Sequence, residues 1–214
     1  MRTLATGMIG LLLAACGDGG SGGHDMGAAA TDMACNSALY PCGPYGPTQG
    51  DVLPDITLPV QTDTNGNGVI DAADPVTMVS MSAYYQNKGI KALFVSAAAF
   101  WCGPCKQEQP ALITLYNGYG GKNSKVAFLE AIVQKADMSV AGTADVDAWA
   151  QTYNIPFDMA SDPTAAISPF YGGNAMSFPW GMVVRTKDMT ITWAAFGDDA
   201  VARKGAIDAV LNAP

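Results

Sequence analysis

The chain has 214 residues, 49% of them hydrophobic and only 14% charged, with 19 carboxylates against 11 Lys and Arg. That is enough apolar sequence, four tryptophans included, for one domain with a real core plus a tether. The acidic balance argues against nucleic acid as a partner, because phosphate binding needs a basic face.

The first residues, MRTLATGMIGLLLAAC, combine a positive start with an apolar run of signal-peptide length. A membrane-spanning helix needs about 20 apolar residues, and the polar, glycine-rich stretch after Cys16 stops the run short of that. The end of the run, Leu13-Ala14-Ala15-Cys16, resembles the lipobox of bacterial lipoproteins. That resemblance implies lipidation of Cys16 and a chain anchored in the bacterial cell envelope, facing the periplasm or the exterior. An ordinary secretory signal with an incidental Cys16 is the alternative. In both cases residues 1–15 are a signal peptide, and loss of Arg2 with it leaves a charge of 10 minus 19, or −9. Gly17 to Asp32 is a flexible linker by composition, and His24, the only histidine, lies in it and is assigned no role.

Five cysteines is an odd number for an exported chain, and Cys16 accounts for the odd one. Cys35 and Cys42, in the Pro- and Gly-rich CNSALYPCGPYGPTQGD, are expected to form a structural disulfide that stiffens the start of the domain. The rival is a zinc site built from four thiolates, Cys35, Cys42, Cys102 and Cys105. The wide gap in the first pair and the oxidising compartment both disfavour it. Residues 16–50 are therefore read as tether and disulfide segment, and 51–214 as the domain.

Within the domain, Val52–Leu58 reads as a strand and Val76–Met81 as its return partner. Between them lies DTNGNGVIDAAD, which places Asp63, Asn65, Asn67, Gly68, Val69, Asp71 and Asp74 at positions 1, 3, 5, 6, 7, 9 and 12 of a loop. This resembles the EF-hand-like calcium loop position by position, with Ile70 at the usual apolar site and Asp74 in place of the closing glutamate, as in dockerins and bacterial extracellular calcium modules. The resemblance implies a structural Ca2+ held by Asp63, Asn65, Asn67, Val69, Asp71 and Asp74. An ordinary Asp/Asn/Gly turn without metal is the plainer alternative.

Ser82–Asn87 is a short helical turn. Lys91–Phe100 is a nearly continuous apolar run that suits a strand buried on both faces. Cys102–Tyr116 is a helix with Pro104 in its first turn and a kink expected at Pro110. Lys125–Val133 is a second buried strand, and Ala144–Tyr153 a helix with Thr143 or Asp145 as cap. Gly181–Arg185 and Thr190–Ala195 form a hairpin, and Ala200–Leu211 closes the chain as a helix. This alternation predicts an α/β domain, a central mixed sheet covered on both faces, with an N-terminal hairpin carrying the loop insertion.

Cys102 and Cys105 lie one turn apart at the start of the predicted helix. Free N–H groups and the positive end of the helix dipole would stabilise a thiolate at Cys102, below the free thiol value of about 8.5. Cys105 then resolves any mixed disulfide formed there. The mechanism requires the Cys102 sulfur to be reachable from solvent.

Trp101-Cys102-Gly103-Pro104-Cys105 is the thioredoxin motif, and the run through Glu108 to Pro110 resembles the CxxCxxExxP pattern of TlpA/ResA-type exported thiol–disulfide oxidoreductases. By order of elements the resemblance covers roughly residues 51–212. It implies a thioredoxin-like fold with Cys102 as attacking thiol, Cys105 as resolving thiol and Glu108 as proton carrier. It also implies a cis-proline at Pro179, in SFPWG, shaping the substrate groove. A solvated Glu108 and an ordinary trans Pro179 are the bland alternatives. Implied partners are protein thiols and disulfides and an exported or membrane electron donor, with no cofactor for catalysis. The chain departs from thioredoxins proper in having Ser96 where they keep an aspartate. Trp180 is bulky for its place and narrows partner choice, and Ala97-Ala98-Ala99 is left unexplained. A peroxiredoxin would need the proline and threonine of PxxxTxxC, both missing, and a copper carrier would need a domain histidine. The alternative from another class is a calcium-stabilised binding module whose Cys102–Cys105 disulfide never opens.

Overall fold

The apolar run 91–100 becomes the middle of the molecule. In the computed structural model, which describes residues 36–172 and 177–214, its eight residues Ala92–Ala99 (β3) are all buried. They pair in parallel with Val126–Gln134 (β4) and antiparallel with Trp180–Arg185 (β6). Outward from β4 come Asp158–Ser161 (β5), Thr57–Gln61 (β1) and Val76–Ser80 (β2); outward from β6 comes Thr190–Phe196 (β7). The seven-stranded order is β2-β1-β5-β4-β3-β6-β7, a mixed sheet.

Three helices, Gly103–Gly118 (α1), Thr143–Tyr153 (α2) and Ala200–Leu211 (α3), complete the described elements longer than one turn. All three pack on one face, where Leu112, Trp149 and Ile207 meet Phe94, Phe128 and Val183. The other face is covered by irregular segments and short 3-10 turns, through Tyr40, Leu53, Met81, Tyr84, Ile167 and Tyr171. Both faces are thus covered, but only one by α-helix. Each fully buried large apolar side chain stabilises the fold by about 1.5–3 kcal/mol.

Several boundaries differ from the sequence expectation. The first strand is Thr57–Gln61, not Val52–Leu58. Pro54 cannot donate to a ladder, so Val52 and Leu53 lie instead along β7, where Leu53 N donates to Met189 O at 2.8 Å. The hairpin partner keeps its place, and residues 62–75 form the inserted loop. β5 was not expected at all. Four residues are too few to show a period, and β5 is a strand because β1 and β4 flank it. α1 runs through Pro110 as one element. α2 begins at Thr143, and its N-cap is Gly142, whose N–H donates to the Asp145 carboxylate at 2.8 Å, so neither Thr143 nor Asp145 is the capping position itself.

The alanine run has a steric reason. Ala97 lies opposite Trp180 across the β3–β6 pair, and Ala98 and Ala99 belong to the cluster that holds both sulfurs. Gly181, opposite Ser96, leaves room for the Phe94 ring, which a Cβ there would approach to 3.1 Å.

Candidate active site

Cys102 is the N-cap of α1, with extended backbone, and Gly103 and Pro104 occupy the first helical positions. The backbone N–H of Cys105 donates to Cys102 Sγ at 3.0 Å, one of the orphan donors of a helix start aimed at sulfur. The two cysteines form a disulfide with Cα atoms 5.3 Å apart. Gly103 and Pro104 are exposed at the tip, while Cys105 is fully buried.

Cys102 itself is only 2% exposed. The expectation of an open sulfur is therefore not met in this disulfide form. The side chain is turned in over the helix start, toward a cluster against which Trp101 and Phe178 pack. Attack on this sulfur requires local displacement of its cover.

The Phe178–Pro179 bond is cis. The Phe178 ring lies 5.7 Å from that of Trp101, so the residue before the proline stands beside the residue before the first cysteine. Tyr171 packs on Phe178 from the other side, with ring centroids 5.1 Å apart. Trp180 points into the opposite core, 2% exposed, and not toward the disulfide. Its bulk answers Ala97 and gives no direct handle on partner choice.

Beneath the disulfide lies a layer of buried polar groups. Glu108 is 2% exposed, which removes the solvated alternative. Its Oε2 is 3.6 Å from Arg203 Nη1 on α3, and Arg203 Nη2 reaches Asp198 at 2.6 Å. Arg203 is itself buried and stands over the Phe94 ring, 5.6 Å from its centroid. Burial, reinforced by Glu130 and opposed by Arg203, pushes the Glu108 carboxyl up to about 8. A buried carboxylate without full pairing costs several kcal/mol, so burial favours the protonated form of this group.

Sequence reasoning did not find Glu130, Gln109, Trp149 or Arg203. Glu130 is fully buried on β4, and its Oε1 accepts from Gln109 Nε2 at 2.8 Å. Burial pushes it up to about 7, against the opposing pull of the Gln109 hydrogen bond, of the nearby Trp149 N–H, which falls short of hydrogen-bond geometry, and of Arg203. One signal was available: a lone carboxylate inside the run KVAFLEAIV, which otherwise reads as buried.

The second motif builds a different kind of site. Asp63 accepts from Gly66 N–H at 2.6 Å and Gly68 N–H at 3.1 Å, and Gly68 has φ of 88°, which favours glycine. Asn65 and Asn67 accept from the N–H groups of Asn67 and Val69. Asp71 accepts from Asn67 Nδ2 at 2.7 Å. Asp74 directs one oxygen to Thr64 N–H and hydroxyl and the other to Asp71 N–H, which lowers its pKa despite some opposing desolvation. Lys122 donates to the Asp63 carbonyl at 2.6 Å.

Ile70 is fully buried and pins the loop, its N–H donating to Ile155 O at 2.8 Å. The donor set, all hard oxygens, suits calcium. Among the described residues, however, no group of three or more His, Cys, Asp or Glu side chains gathers around one point.

Cys42 is held in a disulfide. Cys35, Cys16 and His24 lie outside the described residues, as do the signal peptide and most of the tether. No described helix is long and apolar enough to cross a membrane.

Residues 49–192 match the AhpC/TSA family. The thioredoxin-like protein YneN of Bacillus subtilis is 30% identical over 106 residues, which is 50% of this chain and 56% of that protein. The chain thus spans only a little over half of that curated relative. A putative thiol:disulfide interchange protein DsbE from Chlorobium tepidum superposes with a TM-score of 0.54 at 20% identity, covering 77% of this chain and 99% of the other. A putative protein disulfide isomerase from Bacteroides thetaiotaomicron gives 0.58 at 17%, covering 82% and 96%. At these identities the likeness to solved structures speaks for the fold, which is thioredoxin-like.

Proposed function

The chain belongs to the AhpC/TSA family, and from that premise we propose that it is a thiol–disulfide oxidoreductase working through Cys102 and Cys105 on exported proteins. The observation that carries this reading is the disulfide closed on the first turn of α1, with an N–H aimed at Cys102 Sγ and the Glu108 carboxyl buried on the same helix. A reduced Cys102 thiolate attacks a partner disulfide, forms a mixed disulfide and expels the partner's first sulfur. Cys105 loses its proton to a carboxylate beneath it and attacks Cys102 Sγ. The second partner sulfur leaves with the electron pair. Pro179 shapes the groove indirectly: it is buried, with its carbonyl accepting from Gly197 N–H at 2.8 Å, and the cis bond before it leads to Phe178 beside Trp101.

The expected direction is reduction or isomerisation, with electrons from an exported or membrane donor. The protein is expected in the bacterial cell envelope, held by lipid on Cys16, and a Cys35–Cys42 bridge is proposed to brace the start of the domain. Insulin reduction by the full chain, with Cys102→Ser as control, tests the activity. Equal rates for both would leave a binding module with a permanently closed disulfide. Equilibration with glutathione tests direction, and a potential near about −120 mV, that of a strong oxidant, would refute it.

We also infer that the 63–74 loop takes Ca2+ as a structural ion. The donor chemistry and the turn at Gly68 support this reading; it plays no part in the redox step.

A further inference from the structure

Five of the six buried polar atoms without a hydrogen-bond partner among the described residues belong to one region: Ser96 Oγ, Gln109 Oε1, Glu130 Oε2, Trp149 Nε1 and Arg203 Nε. Ser96 and Glu130 are register partners on adjacent parallel strands, β3 and β4. Side chains at such positions share a face, here the face of Phe94, Phe128 and the two sulfurs. Gln109, the residue after Glu108, bridges the layer: its Nε2 donates both to Cys105 O at 3.1 Å and to Glu130 at 2.8 Å.

The groups facing Glu130 come from every element around it. β3 offers Ser96, α1 Glu108 and Gln109, α2 the Trp149 indole and Tyr153, and α3 Arg203 with its partner Asp198. A single cation, Arg203, lies near two buried carboxyls and is shared with Asp198. One buried cation favours one ionised carboxylate. A second ionisation would add like-charge repulsion to desolvation.

We propose that Glu130 is a second acid of the disulfide site, a positioning residue that shares one proton with Glu108 across Gln109 and Arg203. This rests on Cys102–Cys105 being the redox pair. The ionised member of the couple receives the Cys105 proton when the mixed disulfide is resolved. The Cys105–Cys102 bond then forms, the partner's bond to Cys102 breaks, and the partner thiolate leaves with the electron pair. The dithiol loses two electrons and the partner disulfide gains them. The couple carries two protons until solvent or the departing thiolate removes one.

The experiment uses the reduced full chain and a nitrobenzoate disulfide, whose released thiolate is coloured. Capture by Cys102 releases one equivalent, and resolution by Cys105 releases the second. The rate of the second phase is followed against pH. Glu130→Gln should move its midpoint down by about one pH unit, because the repulsion that helps keep Glu108 protonated is gone. Glu108→Gln should slow the second phase but leave a carboxyl-dependent midpoint, supplied by Glu130. The double variant should lose that midpoint.

If Glu130→Gln keeps the wild-type midpoint, or Glu108→Gln alone removes it, Glu130 has no part in the step. Should Glu130→Gln not fold, the Glu108→Gln profile decides. A wild type with no second release would sink the redox-pair reading itself, which is a separate outcome.

Discussion

The two spacing motifs of this chain, Cys102–Cys105 and Asp63–Asp74, sit in opposite surroundings. Apart from the Lys122 contact, the side chains of the loop's acids and amides bond within the loop, and the loop meets the core through buried Ile70 and through Gln61 Nε2, which donates to the Asp71 and Asp74 carbonyls. The cysteine motif is local only at its first turn; its floor is assembled from β3, β4 and all three helices. A motif of the first kind carries its chemistry in the spacing. For the second, spacing supplies the reactive atoms and distant residues set the conditions under which they react.

The contrast is most sharply broken or confirmed by trapping. Cys105→Ala should abolish turnover and accumulate mixed disulfides on Cys102, visible as dithiothreitol-sensitive adducts on non-reducing gels. An absence of adducts would mean that Cys102, buried in the disulfide form, never becomes accessible. Next comes the apolar strut between loop and core. Ile70→Ala should destabilise the chain by about 2–4 kcal/mol in urea denaturation, as large-to-small core changes do. A loss under about 0.5 kcal/mol would make the loop independent of the fold.

A smaller effect follows from the acids. The folded-state values of Glu108 and Glu130 are raised to about 8 and about 7, above the ordinary carboxylate value. The folded state therefore holds more protons than the unfolded one through that window, and these groups' stabilisation falls as pH rises from about 4.3 towards 8. Between pH 5 and pH 8 the oxidised protein should lose at least ~1 kcal/mol more than Glu130→Gln does. Equal losses would show that Glu130 ionises in the fold as it does in water. The smallest expected effect is at the loop: millimolar Ca2+ should raise the melting temperature by a few degrees, and Asp63→Asn should remove the rise. No rise in the wild type would leave the loop a plain Asx-rich turn.

Much of the architecture was legible because it depends on local pattern. The apolar runs 91–100 and 125–133, the helix after Cys102, the last hairpin and the closing helix all show their period within the segment itself. Errors arose where pairing decided. Val52 and Leu53 look like strand yet serve β7, and β5 is held in the sheet by the strands on either side of it. The site divides the same way. Cys102, Cys105 and Glu108 follow from a motif within one helix turn or two, whereas Arg203 lies 95 positions beyond Glu108 in the chain (203 − 108).

The sequence by itself determined the cysteine pair, its place at a helix start, the order of most strands and helices, and the run of Asp and Asn side chains in the loop. These depend on residues a few positions apart, where backbone geometry translates spacing directly into proximity. Only the tertiary structure decided that Cys102 is covered in the disulfide form and that the three described α-helices lie on one face of the sheet. The same holds for the second buried carboxyl beside a single shared guanidinium. Burial and charge pairing are sums over neighbours brought in from the whole chain, and no local pattern contains them.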